Sequence, residues 1–478
     1  MTDRSKTAAL ILAAGSASRF GAAKVLASLG GRPLLAHVLD VARGVGLGRI
    51  VVVLGQAGED AQAAVDLSGM EIVMNPNPEE GMSSSLRLGM AALAEPADGG
   101  ALSVDAAVVL LGDQPLVRAD VIDGLLAADV PAGRSIVIPR YAGGGGGNPA
   151  LVLRSAWALV HGLTGDRGLG PVIATHPELV VEVAVDGVNP DVDTPADLAV
   201  LEWGVRVRAN RDQVDRIREV GDGDFYSSTS ILFQADPRRA DSDDPTLAAL
   251  RGLAQPGERW LDIGAGAGRY ALPLALTVGP TGEVVAVDPS PAMLAGLRSG
   301  MAEHRIPNIR VVEGRWPMDP DPDAAGDRLT ADVALIAHVG YDVEEIGPFL
   351  DAMEAAASRL CVAVMMDRTP ASIAEAFWPV VHDQERITLP ALREFVALLE
   401  ARGRTAQVRM VERVERSFAD RAQALALLRR QTWVAPGGEK DRRLQAAMDE
   451  RLETTASGGL TVRGIPALQV GVVTWDPR

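Results

Sequence analysis

The sequence predicts an α/β protein, two three-layer α/β/α Rossmann-like domains in tandem, and three observations carry that prediction. Short runs of Val, Ile, Leu and Ala alternate with amphipathic stretches from residue 8 to about 186, and again from 259 to 365. The runs are apolar throughout rather than at alternate positions, which marks strands buried on both faces of a parallel sheet. A turn of glycine and other small residues follows the first run of each series, at 13–24 and at 262–269. A length of 478 residues also exceeds one ordinary domain.

In the first series the predicted strands fall at 9–12, 50–54, 71–74, 107–111, 135–138, 150–153 and 180–185. Helical stretches at 33–45, 83–94 and 120–128 separate them, and 195–203 closes the domain. Residues 206–245 are polar and charged, so the division is placed there, with domains at 1–205 and 206–478. The second series predicts strands at 259–263, 284–287, 309–312, 333–337 and 360–365. Gly143–Gly147 is a low-complexity run that reads as a loop between two strands. No internal repeat is visible.

Composition excludes several function classes. Apolar residues make up 47% but aromatic ones only 4%, so the cores must be built from Ala, Leu and Val. A net charge of −17 repels phosphate backbones and anionic lipid, which argues against nucleic-acid and membrane partners. The single cysteine, Cys361, excludes an internal disulfide and sits in an apolar run as a small buried hydrophobe. No apolar stretch approaches the length of a membrane span, and the N-terminus lacks a leader-like apolar segment. The expected location is cytoplasmic.

The first turn runs Leu10-Ile-Leu-Ala-Ala-Gly-Ser-Ala-Ser-Arg-Phe-Gly-Ala-Ala-Lys24. Small residues around Ala14 and Gly15 let backbone N–H groups approach phosphate oxygens, while Arg19 offers a forked donor and Lys24 a point charge. No Gly-Lys-Ser/Thr ends the turn, so it is not a Walker A loop. Taken alone it reads equally well as a surface loop. Further along stand Leu111-Gly-Asp-Gln-Pro115, Gly147-Asn-Pro149, Gly165-Asp-Arg-Gly168 and Asp191-Val-Asp-Thr-Pro195. Asp113 falls at the carboxyl end of a predicted parallel strand, where open α/β sheets bind ligands.

These five motifs in this order make residues 8–202 resemble the MobA-like nucleotidyltransferases, most closely their molybdenum cofactor cytidylyltransferase branch. By that resemblance, Ala14, Gly15, Arg19 and Lys24 hold a nucleoside triphosphate. Gly81 and Ser85, in Gly81-Met-Ser-Ser-Ser-Leu86, line the base and ribose. Asp113 coordinates magnesium, with Asp193 as the first choice for a second carboxylate and Asp191 as the second. The catalytic set is then Arg19, Lys24, Asp113 and Asp193. Ala13-Ala14-Gly15 favours CTP over GTP, since guanylyl members carry an extra glycine. The implied acceptor is molybdopterin, and the implied protein partner is a molybdoenzyme or its chaperone. Phe20 replaces a methionine common in relatives, and the polyglycine run departs from the tighter family loop.

The second turn, Trp260-Leu-Asp-Ile-Gly-Ala-Gly-Ala-Gly-Arg269, carries an acid and then three glycines at every second position. Asp288 ends the next apolar run, placed to accept from two ribose hydroxyls. A nicotinamide site is disfavoured, because Arg269 stands where its last glycine belongs and Asp262 would face a pyrophosphate. The pattern resembles class I S-adenosylmethionine-dependent methyltransferases. By that resemblance Asp262, Gly264, Gly266 and Gly268 form the cofactor loop, Asp288 binds ribose and Glu313 lies near the adenine. No Asn/Asp-Pro-Pro-Tyr motif follows the fourth strand, which ends Ile336-Ala-His-Val-Gly-Tyr341, and His338 is either a base or a wall of the pocket. Trp378, Trp433 and Trp475 are scattered and read as packing.

Three functions remain open at this level. One is a bifunctional enzyme that transfers CMP to molybdopterin and methyl to an unidentified acceptor. Another is a nucleotidyltransferase for a sugar or polyol phosphate. In the third, the second domain senses S-adenosylmethionine without transferring methyl.

Overall fold

The computed structural model describes residues 2–15, 20, 23–96, 104–219, 236–318, 329–414, 416–454 and 458–478. The chain divides into two compact units, Met1–Leu198 and Ala199–Arg478.

In the first unit the strands are β1 (Thr7–Ala13), β2 (Ser28–Leu29), β3 (Arg32–Pro33), β4 (Arg49–Leu54), β5 (Glu71–Met74), β6 (Ala106–Leu111), β7 (Ile136–Tyr141), β8 (Ala150–Leu153) and β9 (Val180–Val185). Seven of them form one sheet in the order β5-β4-β1-β6-β8-β7-β9. Every ladder is parallel except those of β8, which runs against β6 and β7. All seven residues of β1 are buried. Ala8, Leu10 and Leu12 join the core on one face, and Ala9, Ile11 and Ala13 join that on the other. This two-sided burial is why the run carries no polar alternation. The chain leaves β1 toward β4 and returns on its other side as β6, so a crevice opens between β1 and β6 at their carboxyl ends. The small hairpin β2–β3 was not visible in the sequence.

The second unit holds β10 (Arg259–Ile263), β11 (Glu283–Asp288), β12 (Ile309–Glu313), β13 (Ala331–Ala337), β14 (Ala357–Met366), β15 (Gln407–Val414), β16 (Leu452–Thr454), β17 (Leu460–Val462) and β18 (Leu468–Trp475). Its main sheet is ordered β12-β11-β10-β13-β14-β18-β15, parallel up to β14, with β18 antiparallel to both neighbours. The switch point lies between β10 and β13. Trp260 packs on one face of the sheet while Leu261 and Ile263 pack on the other. Cys361 lies fully buried in β14, and burial pushes its thiol pKa up, so it is an inert core side chain. Trp378 and Trp475 are also fully buried. A separate cluster around Phe377, Leu428, Leu444 and Met448 joins the helices Arg421–Thr432 and Glu439–Asp449 to the β16–β17 hairpin.

The helix expected at 195–203 is longer than that, and from Ala199 on it belongs to the second unit. It runs Pro195–Ile217, and Trp203 and Val207 enter the core of the second unit. Of the polar stretch beyond 206, the portion to Ile217 is therefore helix. Residues 220–235 lie outside the described residues.

Candidate functional site

In the first unit the β1–β6 crevice widens into a cavity of about 510 Å³. Ala14, Gly15, Lys24, Gly81, Ser85, Asp113, Asp191 and Asp193 all line it, although they come from five separate stretches of chain. Arg19 lies outside the described residues. The Lys24 ammonium stands between two carboxylates, 2.5 Å from Asp113 Oδ2 and 2.8 Å from Asp193 Oδ1. Burial pulls its pKa down, but the two carboxylates outweigh this and hold it above the usual lysine value.

Backbone contacts fix these side chains. Asp113 follows β6 in a turn whose carbonyl accepts from Val192 N–H at 3.1 Å, tying the 191–193 segment to the strand end. Asp197 accepts from the N–H groups of Asp193 and Thr194, capping the helix start just behind Asp193. Asp191 accepts from Gln114 Nε2 at 2.7 Å, and Gln114 accepts in turn from Asn189. Burial, then the charge of Asp113, raises the Asp191 pKa, and the Gln114 hydrogen bond opposes them.

The opposite wall depends on close backbone approach. Gly81 has φ of 93°, and a Cβ there would lie 2.5 Å from the Gly165 carbonyl carbon. Only glycine lets the two segments meet. Met82 N–H then donates to Asp166, and Ser83 N–H to Gly165. Asn75, almost fully buried, donates to both Ser84 and Ser85 hydroxyls. Asp166 and Glu79 line the cavity but were not singled out from sequence. The Gly165-Asp-Arg-Gly168 motif was the available signal for Asp166; Glu79 had none.

In the second unit, Gly264, Gly266 and Gly268 all have positive φ, at 76°, 55° and 88°. A Cβ on Gly264 would lie 2.4 Å from Val339 Cγ2, so the loop packs directly beneath the turn that follows β13. Asp288 Oδ2 accepts from Gly266 N–H and Oδ1 from Ser290 N–H, both at 2.8 Å. The ribose candidate thus also braces the glycine loop. Asp262 is buried, and among the described residues its Oδ1 has no hydrogen-bond partner. Burial, then the charge of Asp288, raises its pKa to about 7. Glu313 sits opposite Asp288 in the β11–β12 ladder and is exposed. His338 takes φ of 58°, unusual for a non-glycine residue, and its buried Nδ1 has no partner among the described residues. Burial first, and then Arg269, lowers its pKa to about 4, so the ring is neutral at neutral pH.

No group of three or more His, Cys, Asp or Glu able to hold a metal ion is gathered among the described residues. Among them, no helix is long and apolar enough to cross a membrane.

Two segments of the chain match known protein families. Residues 9–180 match the family model of the MobA-like NTP transferase domain, and residues 261–359 match that of a methyltransferase domain. The bifunctional protein GlmU of Burkholderia orbicola is 38% identical over 121 residues, 25% of this chain and 25% of that protein. The chain thus spans about a quarter of the length of that curated relative. A homolog of Mycobacterium tuberculosis Rv0371c from Mycobacterium sp. strain JC1 is 32% identical, and the match covers 43% of this chain and 99% of the homolog at a TM-score of 0.38. A SAM-dependent methyltransferase from Aquifex aeolicus is 24% identical, and the match covers 39% of this chain and 93% of that one at a TM-score of 0.29.

Proposed function

Because this chain joins a MobA-like NTP transferase domain to a methyltransferase domain, we propose that it is a bifunctional enzyme. The first domain transfers CMP from CTP to a phosphorylated acceptor, molybdopterin, with release of pyrophosphate. The second transfers methyl from S-adenosylmethionine to an unidentified acceptor. The observation that carries the first activity is the placement of one cation, the Lys24 ammonium, between Asp113 and Asp193 in the switch-point cavity.

The same arrangement suits a divalent metal. Two carboxylates already converge on a single cation, so Asp113 and Asp193 would hold magnesium, with Asp191 beside them. Magnesium bound there would shield charge on the oxygens around the α-phosphorus. The chain's own groups do the rest. Lys24, released from the carboxylates, meets the triphosphate, and backbone N–H groups at Ala14 and Gly15 cradle its oxygens. Gly81, Ser85 and Asp166 form the wall for base and ribose. The attacking phosphate oxygen is anionic at neutral pH, so no strong general base is needed.

The second site fits S-adenosylmethionine through an orphaned buried atom. Asp262 Oδ1 lacks a partner among the described residues and can accept from the ligand's ammonium. Asp288 keeps lone pairs for ribose hydroxyls, because each of its oxygens accepts one backbone bond. A pyrophosphate-release assay over four nucleoside triphosphates, with and without molybdopterin, tests the first activity. Release with CTP that depends on molybdopterin is expected; release with another nucleotide or acceptor redirects the assignment. Calorimetric binding of S-adenosylmethionine and of its demethylated product tests the second site.

A further inference from the structure

Arg386 lies between the helices Trp378–His382 and Leu392–Ala401. Its guanidinium sits over the fully buried Trp378 ring, 4.5 Å from the centroid. Nη1 donates to the carbonyls of Ala371, at 2.6 Å, and Gln431, at 3.5 Å. Other partly buried arginines of this unit meet carboxylates: Arg404 meets Glu354, Arg429 meets Asp441 and Arg239 meets Asp244. Among the described residues Arg386 has no such ion pair, and the acid that acts on it, Glu375, pairs with Arg368. Burial draws the Arg386 pKa down to about 10 against the pull of Glu375. A desolvated cation without a counter-anion is costly, and proteins rarely leave one that way.

The backbone on both sides of Arg386 is held in place. Gln213 accepts from Ile387 N–H and donates to the Glu385 carbonyl, and Asn210 donates to the Ile387 carbonyl. Arg206 donates to the carbonyl and hydroxyl of Thr388. Residues 206, 210 and 213 share one helix face, so one helix face grips this short segment. Ala371 follows the carboxyl end of β14, the strand beside β13, and Met366 N–H donates to the Tyr341 hydroxyl there. This is the side of the sheet on which open α/β folds bind ligands. Arg386 is an intermediate, partly exposed residue.

We propose that Arg386 anchors an oxyanion, a carboxylate or a phosphate, on the substrate of the second domain, so that the methyl acceptor is an anion. The proposal rests on the methyl-transfer reading. Its test uses the full-length chain, titrated with benzoate and with inorganic phosphate, with and without S-adenosylhomocysteine. Tryptophan emission is followed, because the stack on Trp378 makes that ring a local reporter. A saturable change at millimolar anion is expected, lost in Trp378→Phe. Arg386→Met should weaken both anions roughly tenfold or more and leave S-adenosylhomocysteine affinity unchanged. Arg386→Lys should hold phosphate but weaken benzoate, because an ammonium lacks the planar fork. Tighter benzoate identifies a carboxylate acceptor, and tighter phosphate a phosphate ester. The proposal is overturned by no saturable change in the unaltered chain, or by Arg386→Lys binding both anions unchanged. If Arg386→Met fails to fold, the lysine variant decides. Failure of the unaltered chain to bind S-adenosylhomocysteine would overturn the methyl-transfer reading, while the anion titration alone still judges Arg386.

Discussion

Lys24 Nζ lies 2.5 Å from Asp113 Oδ2, a contact that joins the small-residue turn after β1 to the turn after β6 across the sheet's switch point. Asp193 completes the pairing from a third segment. One cation thereby offsets two carboxylates that would otherwise repel each other in a partly desolvated crevice.

Removing the charge of Asp113 should be felt at Lys24, its ion-pair partner. Asp113→Asn is expected to lower pyrophosphate release by on the order of 10²–10³-fold, the scale of losing one transition-state charge stabiliser. Circular dichroism and S-adenosylmethionine binding should stay as in the unaltered chain. A variant that keeps most of its activity would remove Asp113 from the mechanism.

Lys24 should not tolerate exchange for arginine. Lys24→Ala is expected to weaken triphosphate binding, and Lys24→Arg to restore it only in part, since a planar fork cannot occupy the point between Asp113 and Asp193 that a compact ammonium fills. Calorimetric titration with CTP measures both. Full recovery with arginine would mean that Lys24 supplies only diffuse charge.

The sequence made legible whatever depends on apolar runs and glycine turns. Strands β1, β4, β10, β11 and β13 stand where their Val, Ile and Leu runs predicted, because burial on both faces leaves a run with no polar interruption. β15 was not legible: it lies at a sheet edge, where Val408 and Met410 are exposed and charged residues alternate with them. β18 was missed although most of it is buried, since it returns only after a long helical insertion. The polar face of Arg206, Asn210 and Gln213 looked like linker composition, yet it binds the carbonyls of Glu385, Ile387 and Thr388. Polar side chains that satisfy partly buried backbone leave no hydrophobic period to read. At the first site the motifs located the acids but not their supports: Gln114 reaches Asp191 from a distant segment, while Asn75 and Asp197 hold neighbouring residues through polar contacts that leave no pattern to read.

Asp262 gives the second domain a defined pH response. Its folded-state pKa is raised from 3.8 to about 7, so the folded chain holds a proton that the unfolded chain has already lost. This contribution to stability is fully present below about pH 4 and is lost as pH rises through about 7. Pairing with a ligand ammonium favours the ionised carboxylate, so below that value S-adenosylmethionine should bind with release of a proton. Its affinity should rise toward pH 7 and then level. Calorimetry in buffers of different ionisation enthalpy measures the proton count. Asp262→Asn should abolish the release, and an unchanged proton count in that variant would place the titration elsewhere.

Separate fragments should fold, and the cut site decides how well. Trp203 is buried in the core of the second unit and its Nε1 donates to the Val343 carbonyl, while a Cβ on Gly204 would lie 2.9 Å from the Glu344 carbonyl oxygen. A fragment starting at residue 206 loses these contacts. One starting at residue 199 keeps them, and both fragments contain Arg206, Asn210 and Gln213, which grip the segment around Arg386. The longer fragment is therefore expected to be more stable in urea by about 3–5 kcal/mol, the usual cost of deleting a buried tryptophan. It should bind S-adenosylmethionine without the first unit, and residues 1–198 should release pyrophosphate alone. Equal urea midpoints for the two C-terminal fragments would show that Trp203 packing adds nothing. Fragments that are insoluble whichever cut is used would show that neither unit folds independently.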